Sequence, residues 1–114
     1  LAFKSIFVRS NNISTIIFDE IDTGISGYIA KQIANKIQEI SQISQVISIT
    51  HIPQVVATGT HHIAVRKQIV KQATVIDVKY LDYEERVEEI AKMISADKVT
   101  EASKESARQL LISE

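Results

Sequence analysis

The sequence contains no cysteine, and this absence excludes disulfide bonds and metal sites built from thiolates. Such a chain is compatible with a reducing compartment. The sequence also lacks a long apolar run, because its longest is far shorter than the ~20 residues that a membrane-spanning helix needs. No signal peptide is visible, since the N-terminal stretch has no extended apolar segment. We therefore expect no association with a membrane.

The chain has no excess of charge of either sign, because its formal net charge is only −1. This balance predicts no general attraction to nucleic acid or to an anionic membrane. Hydrophobic residues make up 45% of the 114 residues and charged residues 24%, which is an ordinary globular composition. The length suits one small domain or part of a larger one. Because the first residue is Leu1 rather than Met, we expect a piece of a longer protein.

The first half of the chain has the pattern of a βαβ unit. An uncharged, β-rich run over 13–18 does not alternate after Thr15, which is typical of a strand covered on both faces. Isoleucines at helical spacing over 26–43 predict an amphipathic helix. The apolar run over 45–50 predicts a second strand, parallel to the first. The predicted fold class is therefore α/β, with a mainly parallel sheet.

Smaller elements follow the βαβ unit. Pro53 suits the first position of a short helix over 53–58, and Gly59 is expected to end that helix. Two strands are predicted at 61–67 and 73–81. The link between them, QIVKQ, is longer than a tight turn, so it leaves the hairpin geometry open.

Helices are predicted at both ends of the chain. Asp82, followed three residues later by Glu85, resembles a capping box and begins a helix with apolar residues at helical spacing up to Ile94. A last helix is expected over about 100–112, and residues 1–9 could be the end of another.

Three chemically capable side chains follow the two predicted parallel strands. Asp19 and Glu20 come at the end of the first strand, and His51 follows the second. Ligands of open parallel sheets bind at the carboxyl ends of the strands. A carboxylate there can bind Mg²⁺, a second can orient or deprotonate a water, and a histidine can donate to a phosphate oxygen. This set suits the hydrolysis of a nucleoside triphosphate.

Each of these features also has a purely structural interpretation. The triplet Asp22-Thr23-Gly24 could be a turn with an Asx hydrogen bond, and His51 could be a satisfied histidine at a strand end. The neighbours His61 and His62 could suggest a metal site. Adjacent strand residues point to opposite faces, however, so we expect this pair to be structural or exposed rather than to share one ion.

The combination of motifs is more specific than its parts and resembles a known family. The segments IIFDEIDTGISG and VISITHIPQVVA resemble the Walker B segment with its D-loop, and the switch-histidine segment, of the RecN family. These bacterial DNA repair proteins belong to the SMC-like branch of ABC ATPases. The segments HHIAVRKQ, ATVIDVKYLDYEERVEEIAKMIS and TEASKESARQLL resemble the strands and helices that follow, so the resemblance covers nearly the whole chain.

The resemblance implies roles for particular residues. Asp19 would help to hold Mg²⁺, Glu20 would be the catalytic base that orients the attacking water, and His51 would sense the γ-phosphate of ATP. Gln54 would support the loop of the switch histidine. The D-loop, which meets the partner subunit, would consist of Asp22, Thr23, Gly24 and Ser26.

The resemblance also implies what residues 1–114 are: the C-terminal lobe of an ABC/SMC-type ATPase head, which is part of a P-loop NTPase fold. The sequence contains no G-x-x-x-x-G-K-[ST] phosphate loop and no Ser-Gly-Gly signature; in the family both lie upstream, as does the coiled coil. We therefore expect these 114 residues alone to bind ATP weakly and to hydrolyse none usefully.

The family's known properties set the remaining expectations. They are ATP and Mg²⁺ as cofactors, a homodimer of heads that sandwich ATP, and action on DNA in double-strand break repair and recombination, in the cytoplasm and associated with the nucleoid. One alternative is the head of another SMC or ABC ATPase, although THIPQVVA favours RecN. Another is a non-catalytic α/β interaction module, in which the acidic turn caps a helix N-terminus.

Overall fold

A computed structural model describes residues 14–19, 27–96 and 98–112. The predicted helix over 1–9 lies outside these residues, as do Glu20, Asp22, Thr23, Gly24 and Ser26. In the described part, no helix is both long and apolar enough to cross a membrane.

The predicted βαβ unit is confirmed. Strand β1 (Thr15–Asp19) leads through helix α1 (Gly27–Ile40) to strand β2 (Gln45–Ile49). The two strands are parallel, and their register places Asp19 opposite Ile49 at the carboxyl ends. Helix α1 ends three residues earlier than the sequence pattern predicts, and a turn over 41–43 leads into β2.

Helix α1 packs its apolar stripe against one face of this sheet. We call the resulting cluster the first core; its buried members are Ile16, Phe18, Ala34, Ile37, Ile40 and Val55. The opposite side of α1 carries the exposed residues Lys31 and Asn35, so the helix is amphipathic as predicted.

The prediction that β1 is covered on both faces is not met by the described residues. The strand alternates: Ile16 and Phe18 are buried, whereas Ile17 is 62% exposed. Ile47 and Ile49 of β2 are exposed as well. A parallel sheet is normally buried on both sides, and here α1 covers only one of them. The uncharged run therefore correctly predicted a strand, but in the described residues only one face of that strand is buried.

Helix α2 (Pro53–Val56) begins at Pro53, as predicted. Its end differs from the prediction, because the C-cap is Ala57 in right-handed helical conformation rather than Gly59. Gly59 allows the His62 ring to approach the backbone closely. A Cβ at this position would lie 3.3 Å from Cδ2 of His62 and 3.4 Å from the carbonyl oxygen of Val56. Gly59 therefore allows tight packing after the helix rather than terminating it.

Strands β3 (Ile63–Val70) and β4 (Ala73–Tyr80) form an antiparallel hairpin, a sheet separate from β1–β2. The link is a two-residue turn, Lys71-Gln72, with both φ angles positive (49° and 65°). Two positive φ angles match the twist of a hairpin. The longer link expected from the sequence was wrong, since the first three residues of QIVKQ belong to β3.

The two faces of the hairpin differ in character. One face carries Arg66 and Lys79, whose side chains form ion pairs with Glu89 and Glu85 of the following helix. The other face is exposed and mostly apolar: it carries Lys67 and Thr74 among the apolar residues Ile63, Val65, Ile69, Ile76, Val78 and Tyr80.

Helices α3 (Tyr83–Ile94) and α4 (Glu101–Ile112) complete the described chain. The predicted capping box is confirmed: the Asp82 carboxylate accepts from the Glu85 N–H at 2.9 Å, and the Glu85 side chain accepts from the Asp82 N–H at 3.1 Å. Both helices bury their apolar sides in what we call the second core: Ala57, Val87, Ile90, Ala91 and Ala107.

Candidate functional site

Two of the candidate site residues, Asp19 and His51, lie at the carboxyl edge of the β1–β2 sheet. Asp19 is the last residue of β1 and is exposed, and its register partner is Ile49. His51, also exposed, lies two residues beyond the end of β2. Neighbouring strands lie about 4.8 Å apart, so Asp19 and His51 lie at the same edge of the sheet although they are far apart in sequence.

Gln54 is brought to the start of α1. Its Nε2 atom lies 3.6 Å from the position that a Cβ of Gly27 would occupy. Gly27 is the first residue of α1 and directly follows the segment that contains Glu20 and the four D-loop candidates. The structure therefore places a side-chain amide from the histidine segment beside the first residue of α1.

The backbone around His51 is held locally by short-range bonds. The N–H of Ile52 donates to the Thr50 hydroxyl at 3.1 Å. The N–H groups of Val55 and Val56 then donate to the carbonyl of Ile52, both at 3.0 Å. His51 thus lies in the short link between the end of β2 and the single turn of α2.

The other candidate site residues, Glu20, Asp22, Thr23, Gly24 and Ser26, lie outside the described residues, so their assigned roles stay predictions. Among the described residues, no group of three His, Asp or Glu side chains is placed to hold a metal ion.

The two adjacent histidines have separate structural roles, as predicted. His61 is exposed and its Nδ1 is hydrogen-bonded to the Tyr80 hydroxyl. His62 is buried beside Arg86, whose Nε donates to Nδ1 of His62 at 3.3 Å. A second guanidinium atom, Nη2 of Arg86, lies 3.4 Å from Nε2 of the same ring, so the guanidinium lies along the edge of the imidazole.

Arg86 also bonds to the chain that follows α2, a contact that the sequence analysis missed. Its Nη2 donates to the carbonyl of Gly59 at 2.8 Å. The partners of Arg86 lie 24 and 27 residues away in sequence, and no local pattern predicts a pairing at that distance.

Burial lowers the pKa of His62 below its ordinary value of 6.5, and the positive charge of Arg86 lowers it further. The folded state therefore binds a proton at His62 less readily than the unfolded state. The resulting stability is fully present above pH 6.5 and is lost as the pH falls below that value toward the folded pKa.

We expect the free energy of unfolding to decrease when the pH is lowered from about 7.5 to about 5.5, a range in which His62 titrates in the unfolded chain. Urea unfolding at several pH values measures this slope. In the variant His62→Gln, which cannot titrate, the slope should be smaller. Equal slopes in the two proteins would show that His62 is not the group that causes it.

The chain is similar in sequence to DNA repair proteins. No protein-family model matches it. It is 46% identical over 111 residues to the DNA repair protein RecN of Halalkalibacterium halodurans and 45% identical to that of Bacillus subtilis. It is 34% identical to RecN of Vibrio cholerae. These matches cover 97% to 98% of the chain but only 19% to 20% of each relative.

The fold also has a solved counterpart. A structure from a study of ATP-driven dimerization and DNA-stimulated activation of SMC ATPases matches 82% of this chain and 56% of its own. The TM-score is 0.65 at 23% sequence identity. This likeness confirms the α/β fold that the sequence predicted. The chain is therefore a RecN-like sequence that corresponds to about a fifth of the length of those DNA repair proteins.

Proposed function

We propose that residues 1–114 are the Walker B, D-loop and switch-histidine lobe of the head of an SMC-like ATPase in DNA repair. The observation that supports the proposal is that Asp19 and His51 lie at the carboxyl edge of the parallel pair β1–β2. The similarity to RecN proteins over 97% of the chain supports it. Because the chain spans only a fifth of those relatives, the activity belongs to a longer protein.

In this proposal the chain's own residues bind and orient the reactants. Asp19 holds Mg²⁺, Glu20 orients and deprotonates the attacking water, and His51 donates a hydrogen bond to the γ-phosphate. Gln54, whose side chain lies next to Gly27 at the start of α1, supports the segment that contains His51. Residues Asp22, Thr23, Gly24 and Ser26 form the D-loop and meet a partner head.

The donor set fits Mg²⁺. Asp19 is exposed at a strand end, where one carboxylate oxygen can bind the ion while water and phosphate oxygens complete the shell. When bound, the ion would neutralise negative charge on the phosphates during transfer. Hydrolysis then depends on how accurately the protein positions water and phosphate.

The partners follow from the same proposal. Two heads close on ATP as a homodimer, and the whole protein acts on DNA in double-strand break repair and recombination, in the cytoplasm at the nucleoid. The net charge of −1 gives this segment no general attraction to DNA. The proposal that the protein acts on DNA through the rest of its chain rests on the similarity to RecN proteins.

We expect the whole protein to hydrolyse ATP and the isolated 114 residues to bind it weakly and hydrolyse none. The sequence contains no G-x-x-x-x-G-K-[ST] loop, whose backbone and lysine would cradle the β- and γ-phosphates. Phosphate release and nucleotide binding, with and without DNA, test both forms. Tight ATP binding by the isolated chain would contradict the expectation. A whole protein that neither binds nor hydrolyses ATP would indicate a non-catalytic α/β interaction module instead.

A further inference from the structure

Helix α2 joins the two cores of the molecule. Val55 is buried in the first core, with the strands and α1, whereas Ala57, the residue after the helix, is buried in the second core with α3 and α4. The helix has four residues and no side-chain cap at its N-terminus. One helical turn is not stable by itself, so contacts with the rest of the protein determine where α2 lies.

Arg86 supplies such a contact at the C-terminal side of α2. It extends from α3, which Val87 and Ile90 anchor in the second core. Its Nη2 donates to the Gly59 carbonyl at 2.8 Å, and its Nε to His62 at 3.3 Å. Hydrogen bonds from a charged donor are about twice as strong as neutral ones. The contact therefore joins α3 to the chain that leaves α2.

The partners of Arg86 are unusual for an arginine on an acidic helix. The sequence places Glu84, Glu85, Glu88 and Glu89 within three positions of it. In the part of the chain that the structure describes, Arg86 forms no ion pair with any carboxylate, whereas Glu85, Glu88 and Glu89 pair with lysines or with Arg66. The guanidinium is directed instead at a backbone carbonyl and a buried imidazole.

His62 and Gly59 fill the space between Arg86 and α2. A Cβ at Gly59 would approach Cδ2 of His62 to 3.3 Å and Nε2 to 3.4 Å, so the imidazole packs directly on the backbone. The N–H of Gly59 donates to the Val56 carbonyl at 3.1 Å. A movement of Gly59 is thus transmitted to the last residue of α2.

The geometry points to Arg86 as a positioning residue for His51. Arg86 bonds to Gly59, and Gly59 bonds to Val56 at the end of α2. One helical turn of about 5.4 Å connects that end to Gln54 and to the N-cap Ile52, which directly follows His51. This inference rests on the proposed function, in which His51 contacts the γ-phosphate. A displacement of about 1 Å at a reacting group can lower a rate by as much as about 100-fold.

The test uses the whole protein that carries this segment and the variant Arg86→Met. We expect kcat for ATP to fall about tenfold and KM to stay within about twofold, because the γ-phosphate contact acts in the transition state. Arg86→Lys, which can still reach one carbonyl, should recover part of the rate. Arg66→Met is the matched control: Arg66 also contacts α3, through Glu89, but not Gly59, and we expect kcat within about twofold of wild type.

Repeating the substitution in a protein that already lacks His51 distinguishes the positioning of His51 by Arg86 from a general contribution of Arg86 to the fold. In a His51→Ala protein, Arg86→Met should change kcat by less than about twofold, because the contact through which Arg86 acts is already lost. An equal factor in both backgrounds would overturn the inference. So would equal effects of Arg86→Met and Arg66→Met.

Amide hydrogen exchange gives a readout that does not depend on ATP hydrolysis. The N–H groups of Val55, Val56, Ala57 and Thr58 are hydrogen-bonded within α2 and its end. In Arg86→Met their exchange should be at least about fivefold faster than in Arg66→Met. If wild type hydrolyses no ATP, the proposed function fails, and equal exchange in the two variants would then overturn the contact's role as well.

Discussion

The variant Glu20→Gln should bind ATP as the wild type does but hydrolyse it about 100-fold or more slowly in the whole protein. Glutamine keeps the shape of the side chain and can still hydrogen-bond a water, but it cannot accept the proton of that water. Glu20 directly follows Asp19, the exposed end of β1. Phosphate release under steady-state conditions measures the rate, and equilibrium binding of ATP measures the affinity.

A matched control removes a carboxylate elsewhere. Glu101 begins α4, and 87% of its side chain is exposed. Glu101→Gln should therefore leave hydrolysis unchanged. If Glu20→Gln hydrolyses ATP as fast as the wild type, the catalytic assignment is wrong. The carboxylates at 19, 20 and 22 would then be a turn and a helix cap.

Local patterns in the sequence predicted much of the fold. The βαβ unit follows from a change of apolar period along the chain, and the start of α3 follows from Asp82 and Glu85, whose mutual bonds need only three residues of spacing. Pro53 marks the start of α2 for the same local reason. Such elements are predictable because the residues that define them are neighbours in sequence.

Other features depend on contacts that no local pattern reveals. The hairpin turn Lys71-Gln72 has two positive φ angles without the glycine or asparagine that usually signals them. Gly59 looks like a helix terminator but serves close packing against His62. Its interpretation as a cap was reasonable from the sequence and wrong in the structure, because its partner is His62, a side chain in the segment just before β3.

The candidate site likewise has some features that the sequence predicts and others that depend on contacts between distant residues. The convergence of Asp19 and His51 was predictable, because the carboxyl ends of parallel strands meet at one edge. The contact of Gln54 with the start of α1 and the bond from Arg86 to Gly59 were not, since they link elements far apart in sequence. The catalytic assignment of Glu20 came from the resemblance to a family and stays a prediction.

A large loss of stability is expected from Ile90→Ala in the second core. Ile90 is 0% exposed and packs with Val87, Ala91, Ala57 and Ala107. Three of these neighbours are alanines, whose short side chains cannot fill the space, although larger, partly buried side chains such as Leu110 and Leu111 also pack against the cluster. We therefore expect a cavity, and a decrease of about 2–5 kcal/mol in the free energy of unfolding.

Urea unfolding of the 114-residue chain, followed by circular dichroism, measures this loss. With a denaturant dependence of about 1–3 kcal/mol per molar, a loss of 3 kcal/mol lowers the midpoint by about 1–3 M. The control Ile112→Ala makes the same chemical change at a helical residue that is 70% exposed, and it should cost less than about 0.5 kcal/mol.

Because Ala57 belongs to the same core, Ile90→Ala should also loosen the end of α2. If the two variants unfold at the same midpoint, truncation of Ile90 leaves no costly cavity, and the tight packing of the second core around Ile90 is wrong.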